Sequence, residues 1–305
     1  MNPRPAAGRH GWYSRAVGDP PCTLKTGAHC GRRRRGAAAR TLLCVAASVA
    51  ALAVALSAGA RPAGANAPLA AAKAQVSGRS WADRTPVPIL MYHHVQVHRD
   101  GAPAMYVSPR QFRRQLAYLR SHGYHPVALS RVWRAWNGEG TLPPRPVVLS
   151  FDDGYIDQYA NAARILRPYH WSAVLNLVVD RGTTLTDAKV RRMVAWGWQI
   201  GSHTMDHKVL TRLSPSRLRY QLAQSRRVLR GRFHQQVDFL CYPYGESGGR
   251  VERAAQEAGY LAATGVKYGA AVPQRRWALR RIAVWWGEPL AEFGKRMRDA
   301  VARAR

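Results

Sequence analysis

The sequence predicts an α/β fold, a barrel of seven or eight strand–helix units. Two observations support this. From residue 85 onward, short apolar runs rich in β-branched residues alternate with longer segments whose apolar residues recur at helical spacing. Several of the apolar runs end directly before carboxylates or histidines, as strands do at the functional rim of a parallel barrel. The alternation predicts parallel strands, with a site at their carboxyl ends.

The elements follow one another in a regular order. The predicted strands are 87–92, a short strand near Val127, 146–149, 173–179, 198–200, 237–241, 260–264 and 281–285. The first predicted helix begins at Pro109 and presents Phe112, Leu116 and Leu119 on one face. The other predicted helices are 131–136, 157–167, 187–195, 215–230, 251–258 and one that begins at Pro289.

The first sixty residues are typical of an export signal or a membrane anchor. Residues 1–40 are basic, and residues 41–60 form an almost uninterrupted apolar stretch without a charge. The sequence Ala58-Gly59-Ala60 favours cleavage, but a stretch of about 18 to 20 apolar residues is also long enough to span a bilayer. Residues 61–84 are rich in Ala, Gly and Pro and are typical of a linker. We therefore expect an exported protein, either extracellular, periplasmic or anchored at the cell envelope, with its catalytic domain at 85–305.

The chain of 305 residues carries a formal net charge of +30. Arginines continue through the predicted domain, often in pairs that include Arg280 and Arg281. Many of the pairs lie on predicted helices, and the simplest interpretation of these arginines is a solvated helix face. They also favour attraction to an anionic membrane or envelope polymer. Nucleic-acid binding is disfavoured, because the sequence has no helix-turn-helix signature, zinc-finger spacing or aromatic RNA-binding motif.

Three of the four cysteines lie in or before the apolar leader. Cleavage of that leader would leave only Cys241, so no intrachain disulfide is expected. Cys241 ends an apolar run and is interpreted as a small buried residue.

Two short segments carry the chemistry. Asp152 and Asp153 follow the predicted strand 146–149, and His203 and His207 follow the strand 198–200. Two imidazoles spaced i, i+4 and a carboxylate suit a zinc-like ion with an open coordination position. The remaining carboxylate could take a proton from an attacking water, so the pattern predicts metal-assisted hydrolysis.

These segments resemble the motifs of the polysaccharide deacetylases, the family with the chitooligosaccharide-deacetylase homology domain. SFDDG at 150–154 and HTMDH at 203–207 match its first two motifs, and CYPYG at 241–245 is similar to its third. The resemblance implies a distorted, incompletely closed (β/α) barrel. It also implies that Asp153, His203 and His207 bind a divalent metal, that Asp152 is the catalytic base, and that the backbone N–H of Tyr244 helps to hold the oxyanion.

The sequence departs from that family pattern at two places. Cys241 stands where an arginine usually orients the base, and the last histidine, His234, precedes the third motif, so the usual C-terminal histidine acid is missing. The segment PILMYHHV at 88–95 resembles the opening of a branch with permuted motif order, the biofilm poly-β-1,6-N-acetylglucosamine deacetylases. That resemblance implies that His93 is the general acid. Strand alternation points His94 the other way.

The resulting hypothesis is metal-dependent hydrolysis of N-acetyl groups on an N-acetylglucosamine polymer. Zn²⁺ is the expected ion, and Co²⁺ and Ni²⁺ stay open. Trp285 and Trp286 stand at a predicted strand end, where they could stack on a sugar ring or simply pack at the rim. The branch resemblance favours poly-β-1,6-N-acetylglucosamine, with peptidoglycan and chitin-like chains as alternatives. Two competing functions are an O-acetyl esterase and a glycan-binding envelope protein without catalytic activity.

Overall fold

Seven parallel strands form a closed ring in the computed structural model, which describes residues 83–180, 182 and 185–304. The strands are β1 (Ile89–Tyr92), β2 (His94–Val95), β3 (Tyr106–Val107), β4 (His125–Pro126), β5 (Pro146–Asp153), β6 (Val174–Leu177), β7 (Gln199–Ser202), β8 (Phe239–Cys241), β9 (Ala262–Tyr268) and β10 (Leu279–Ala283). Around the ring the order is β1-β10-β9-β8-β7-β6-β5, and β1 also pairs with β5. Strands β2 and β3 form a separate pair.

The predicted α/β barrel is confirmed, with seven strands in the ring. The strand expected near Val127 is the two-residue β4, which pairs only with β5 and lies outside the ring. The expectation of an incompletely closed barrel needs correction, because strand pairings run all the way round. The ring is nevertheless distorted. A single residue pair, Ser202 with Leu240, joins β7 to β8, and the register shifts between β9 and β10.

Helices connect most successive ring strands. They are α1 (Pro109–Ser121), α2 (Leu129–Trp136), α3 (Arg164–Leu166), α4 (Asp187–Ala195), α5 (Pro215–Arg219), α6 (Ser225–Phe233), α7 (Gly249–Glu257) and α8 (Leu290–Ala302). Two π-helical segments, Gln158–Ala163 and Tyr220–Gln224, lead into α3 and α6, and 3₁₀ turns are formed by Pro103–Met105, Arg167–Tyr169, Leu210–Arg212, Pro243–Gly245 and Pro273–Ala278. As expected, α1 begins at a proline, with the Ser108 hydroxyl accepting a hydrogen bond from the backbone N–H of Gln111 at 3.1 Å.

Two apolar clusters fill the domain. The larger lies between the outer faces of the strands and the helices. The smaller joins inward-facing residues near the start of the ring strands, such as Ile89, Val148 and Val174, to residues of α2, including Trp136. Apolar side chains therefore fill the barrel interior near the amino ends of the strands, and the interior near the carboxyl ends is left for polar groups.

The leader predicted at 1–60 and most of the linker lie outside the described residues, so export and anchoring stay predictions. Within 83–180, 182 and 185–304, no helix is both long enough and apolar enough to cross a membrane.

Candidate active site

The inward-facing residues of the ring strands change from apolar to polar toward the carboxyl ends of the strands. On β5 the inward-facing residue Val148 is followed at two-residue steps by Ser150 and Asp152. The same step leads from Val174 to Asn176 on β6. The paired register sets Asp152 beside Asn176, and Asn176 beside Gly201 of β7. Polar side chains of different strands therefore meet at the carboxyl end of the barrel.

The carboxylate of Asp152 is buried and accepts hydrogen bonds from two strands. Arg281 on β10 places its terminal nitrogen Nη1 2.9 Å from Oδ1 of Asp152 and its terminal nitrogen Nη2 2.8 Å from Oδ2. Asn176 donates to Oδ1 at 2.8 Å. Gly201 makes this possible, because a Cβ there would lie 2.1 Å from the Asn176 side-chain oxygen. A two-pronged contact of this kind fixes both the position and the orientation of the carboxylate.

Arg281 fills the place left by the missing motif arginine. Its guanidinium reaches Asp152 across the barrel and lies 3.3 Å from the Cys241 sulfur, while its Nε donates to the Gly265 carbonyl at 2.7 Å. The small Cys241 side chain, fully buried, leaves room for that guanidinium. The expectation that Arg281 lies on a solvated face is therefore wrong, because its side chain is only 1% exposed.

The charges around Asp152 set its ionisation. Burial alone would raise the pKa of Asp152, but the Arg281 guanidinium, with His93 and His203, holds that pKa well below its usual range. Asp152 is thus ionised at neutral pH, as a proton acceptor must be.

The three predicted metal ligands converge on one point. Asp153 Oδ1 lies 3.6 Å from His203 Nε2 and 3.4 Å from His207 Nε2, and the two Nε2 atoms are 3.2 Å apart. Ligand atoms about 2.0 to 2.2 Å from a tetrahedrally coordinated ion are separated by about 3.3 to 3.6 Å. The donor set and its spacing therefore fit a divalent ion of the zinc type.

The backbone around these ligands is unusual. Asp153, Thr204, His207 and Tyr244 all have positive φ, at 78°, 73°, 61° and 59°. Residues other than glycine adopt this region at an energetic cost, and such residues concentrate at functional sites. At Asp153 the turn breaks the strand alternation, so this carboxylate can face the histidines while its neighbour Asp152 faces into the barrel.

Hydrogen bonding also orients His203. Its Nδ1 lies 2.7 Å from the Cys241 carbonyl oxygen, which only a protonated Nδ1 can satisfy as a donor. Nε2 is then the nitrogen available to an ion. Burial alone lowers the pKa of His203, but the Cys241, Asp152 and Asp153 groups outweigh it and raise that pKa to about 9. This electronegative surrounding favours a cation.

His93 and His94 face different surroundings. His93 lines the cavity of the site, with its Nε2 3.8 Å from Asp152 Oδ2, and its pKa is lowered by burial despite the nearby carboxylates. His94 instead stacks between the rings of Tyr106 and Tyr155, and its Nδ1 lies 3.2 Å from Asp157 Oδ1. The expected divergence of these neighbouring side chains is therefore observed.

Two buried glutamines in the π-helical segments hold the loops of the site. Gln158 donates to the carbonyl oxygens of both His93 and Asp152, tying the ends of β1 and β5 together. The Gln221 carbonyl accepts from the backbone N–H groups of Met205 and Asp206, at 3.0 and 3.3 Å. Nothing in the local sequence pattern marked these residues, because their partners lie in other elements.

Known proteins share this arrangement. A protein-family model described as polysaccharide deacetylase matches residues 139–263, which include the carboxylates, both histidine ligands and the Tyr244 turn. Residues 139–263 therefore carry the sequence pattern of a polysaccharide deacetylase. Bacillus subtilis (strain 168) YxkH, whose name assigns it to the polysaccharide deacetylases, is 28% identical over 212 residues, covering 68% of this chain and 75% of that protein.

Three further likenesses extend the comparison. The poly-β-1,6-N-acetyl-D-glucosamine N-deacetylase of Escherichia coli (strain K12) is 34% identical over 102 residues, 33% of this chain but only 15% of that much longer protein. Among solved structures, the deacetylase PplD of Streptococcus pyogenes in complex with acetate aligns with a TM-score of 0.66 and 25% identity, over 70% of this chain and 99% of that one. IcaB from Ammonifex degensii shares the fold, with a TM-score of 0.62 and 21% identity, over 70% of this chain and 97% of that one.

Of the remaining predicted site residues, some line the cavity and others do not. Tyr244 lines the cavity, and its ring centre lies 4.7 Å from that of His207. Neither Trp285 nor Trp286 is among the cavity-lining residues. Trp285 instead packs against the Arg296 guanidinium at 3.8 Å, which favours the packing alternative for this residue.

The ligand assignment makes a direct prediction. Replacing His203 or His207 by alanine removes one of three converging ligands, so affinity for Zn²⁺ is expected to fall at least about 100-fold. Elemental analysis of the purified variants checks this. His234→Ala, on an exposed loop, is a matched control that should retain the ion. Wild-type stoichiometry in both ligand variants would disprove the assignment.

Proposed function

We propose that this domain hydrolyses N-acetyl groups on an N-acetylglucosamine-containing polysaccharide and releases acetate. The observation that supports this most strongly is the joint placement of three functions in one cavity. A paired carboxylate, Asp152, lies beside a metal-type triad and a buried histidine, His93. Each of these groups has a place in the hydrolysis of an amide.

The protein groups divide the proton transfers between them. An ion held by Asp153, His203 and His207 would polarise the acetyl carbonyl and acidify a nearby water. Asp152, fixed by Arg281 and Asn176, accepts the proton of the attacking water. His93 gives a proton to the amine nitrogen as the C–N bond breaks, and because burial lowers its pKa, it gives up that proton readily. The backbone N–H of Tyr244 is assigned to the oxyanion that develops on the carbonyl oxygen.

The substrate, the ion and the location belong to the same proposal. The Escherichia coli relative is named for poly-β-1,6-N-acetyl-D-glucosamine, which favours this polymer over peptidoglycan or chitin-like chains. The nitrogen and oxygen donors favour Zn²⁺, with Co²⁺ and Ni²⁺ as alternatives. Export to the cell envelope, by the leader at 1–60, would bring the enzyme to such a polymer.

Acetate release separates this proposal from its two alternatives. An O-acetyl esterase would use the same groups to hydrolyse an acetyl ester, in which an oxygen replaces the amide nitrogen as the leaving atom. A glycan-binding protein without activity would release no acetate. We expect acetate from N-acetylglucosamine oligosaccharides in the presence of Zn²⁺. Release only from matched O-acetylated oligosaccharides would identify an esterase, and binding without release would identify a binding protein.

The role of His93 predicts a split between substrates. An amine leaves only after protonation, whereas the leaving group of 4-nitrophenyl acetate needs little help. His93→Ala is therefore expected to lose about 10² to 10⁴-fold on N-acetylated oligosaccharides while keeping much of its aryl ester activity. His94→Ala, its sequence neighbour outside the cavity, is the matched control and should be milder on the amide. A more damaging effect of His94→Ala would place the acid elsewhere.

A further inference from the structure

A second groove lies outside the barrel. It is lined by aromatic, basic and proline side chains of the segments before β6 and β7: Tyr159, Arg164, Arg167, Pro168, His170, Arg192 and Trp196. None of these residues lines the cavity of the candidate active site. Residues 167–170 precede β6 and Trp196 precedes β7, so this groove lies toward the amino ends of the strands, away from the catalytic rim.

Aromatic rings hold the three arginines in place. The rings of Tyr159 and Trp196 stack, with centres 5.8 Å apart and planes 8° from parallel. The Arg164 guanidinium lies over Tyr159 at 5.6 Å, and that of Arg167 over Trp196 at 5.0 Å. Arg192 donates to the Tyr159 hydroxyl at 3.1 Å. These contacts order the side chains before any ligand arrives, which lowers the entropy cost of binding.

The positive charge of this groove is not neutralised by the domain. Over the described part of the chain, none of the three arginines forms an ion pair, although other exposed arginines do, as Arg191 does with Asp187. The hydrogen bond from Arg192 and the charges of Arg192 and Arg164 also lower the pKa of Tyr159. Like charges gathered in this way repel one another, and an anion would relieve that repulsion.

We propose that this groove binds a phosphate group, such as the phosphate ester of an envelope polymer or of a phospholipid. Guanidinium groups match phosphate oxygens with two parallel hydrogen bonds. A phosphate is tetrahedral and presents its oxygens in several directions, whether it is a monoester or a diester, whereas the two oxygens of a carboxylate lie in one plane. Three guanidinium groups around one groove therefore suit a phosphate better than a carboxylate. Such a ligand would hold the enzyme at an anionic surface without occupying the catalytic cavity.

The experiment measures binding of glycerol phosphate to the full chain by titration calorimetry at fixed ionic strength, with acetate as the carboxylate probe. Replacing Arg164, Arg167 and Arg192 together by glutamine should weaken glycerol phosphate binding at least about tenfold. The matched control replaces Arg110, Arg113 and Arg114, three exposed arginines of α1, and removes the same charge. It should bind as the unmodified chain does.

Two results would overturn the proposal. An equal loss in the α1 control would show that only the overall charge acts, and equal binding of acetate would exclude a phosphate site. Vesicles of phosphatidylglycerol, compared with phosphatidylcholine, distinguish the two sources. A loss of vesicle binding in the groove variant identifies a lipid headgroup, and a loss confined to soluble glycerol phosphate excludes one. An unchanged circular dichroism spectrum and an unchanged unfolding midpoint would show that the groove variant is folded, whether or not the chain releases acetate.

Discussion

Asp152→Asn is expected to slow deacetylation by about 10² to 10⁴-fold, because an amide cannot accept the proton of the attacking water. The substitution preserves size, and its side-chain oxygen can still accept a hydrogen bond from Arg281 or Asn176. The triad of Asp153, His203 and His207 is left intact, so bound Zn²⁺ should stay at the wild-type level. Steady-state acetate release, together with elemental analysis of the same sample, measures both quantities.

A neighbouring carboxylate offers a matched control. Asp157 is also buried, and it accepts hydrogen bonds from the Val95 backbone and from His94 outside the catalytic cavity. Asp157→Asn keeps an acceptor there and should retain most of the deacetylation rate. If Asp152→Asn carried its full metal content and turned over as fast as this control, Asp152 would not be the base.

The sequence was sufficient to predict the parts of the site that follow strand ends. The alternation that buries Val148 also directs Asp152 inward, and the segment with His203 and His207 directly follows the end of β7. These are local properties, since each depends on residues a few positions away. The barrel itself follows in the same way from the alternation of strands and helices.

Partners from distant elements could not be predicted in this way. Arg281 is 129 residues from Asp152 in the sequence, and its strand is Leu279–Ala283, whereas 281–285 was predicted. The pair Arg280-Arg281 looks like a solvated charge cluster, because only the tertiary fold distinguishes the buried arginine from its partly exposed neighbour. Trp285 and Trp286 therefore lie beyond the end of the strand.

Arg281→Met is expected to lower the free energy of unfolding by about 3 to 5 kcal/mol at neutral pH, because it leaves the buried Asp152 carboxylate without its cationic partner. The pKa of Asp152 should rise, since burial then acts with less opposition. The loss of stability should therefore shrink as the pH falls, when Asp152 can take up a proton. The acid limb of the rate profile should move to higher pH for the same reason, because the base must be ionised.

A double variant separates the charge from the packing. Asp152→Asn removes the carboxylate that Arg281 neutralises, so adding Arg281→Met to it should cost less unfolding free energy than Arg281→Met costs alone. Arg281→Lys keeps a cation but not the paired donors, and it should restore part of the stability and move the acid limb back toward lower pH. Denaturant unfolding across pH, measured beside kcat and KM, gives both readouts. If the two substitutions were additive and the acid limb stayed in place, Arg281 would be a packing residue that leaves the ionisation of the base unchanged.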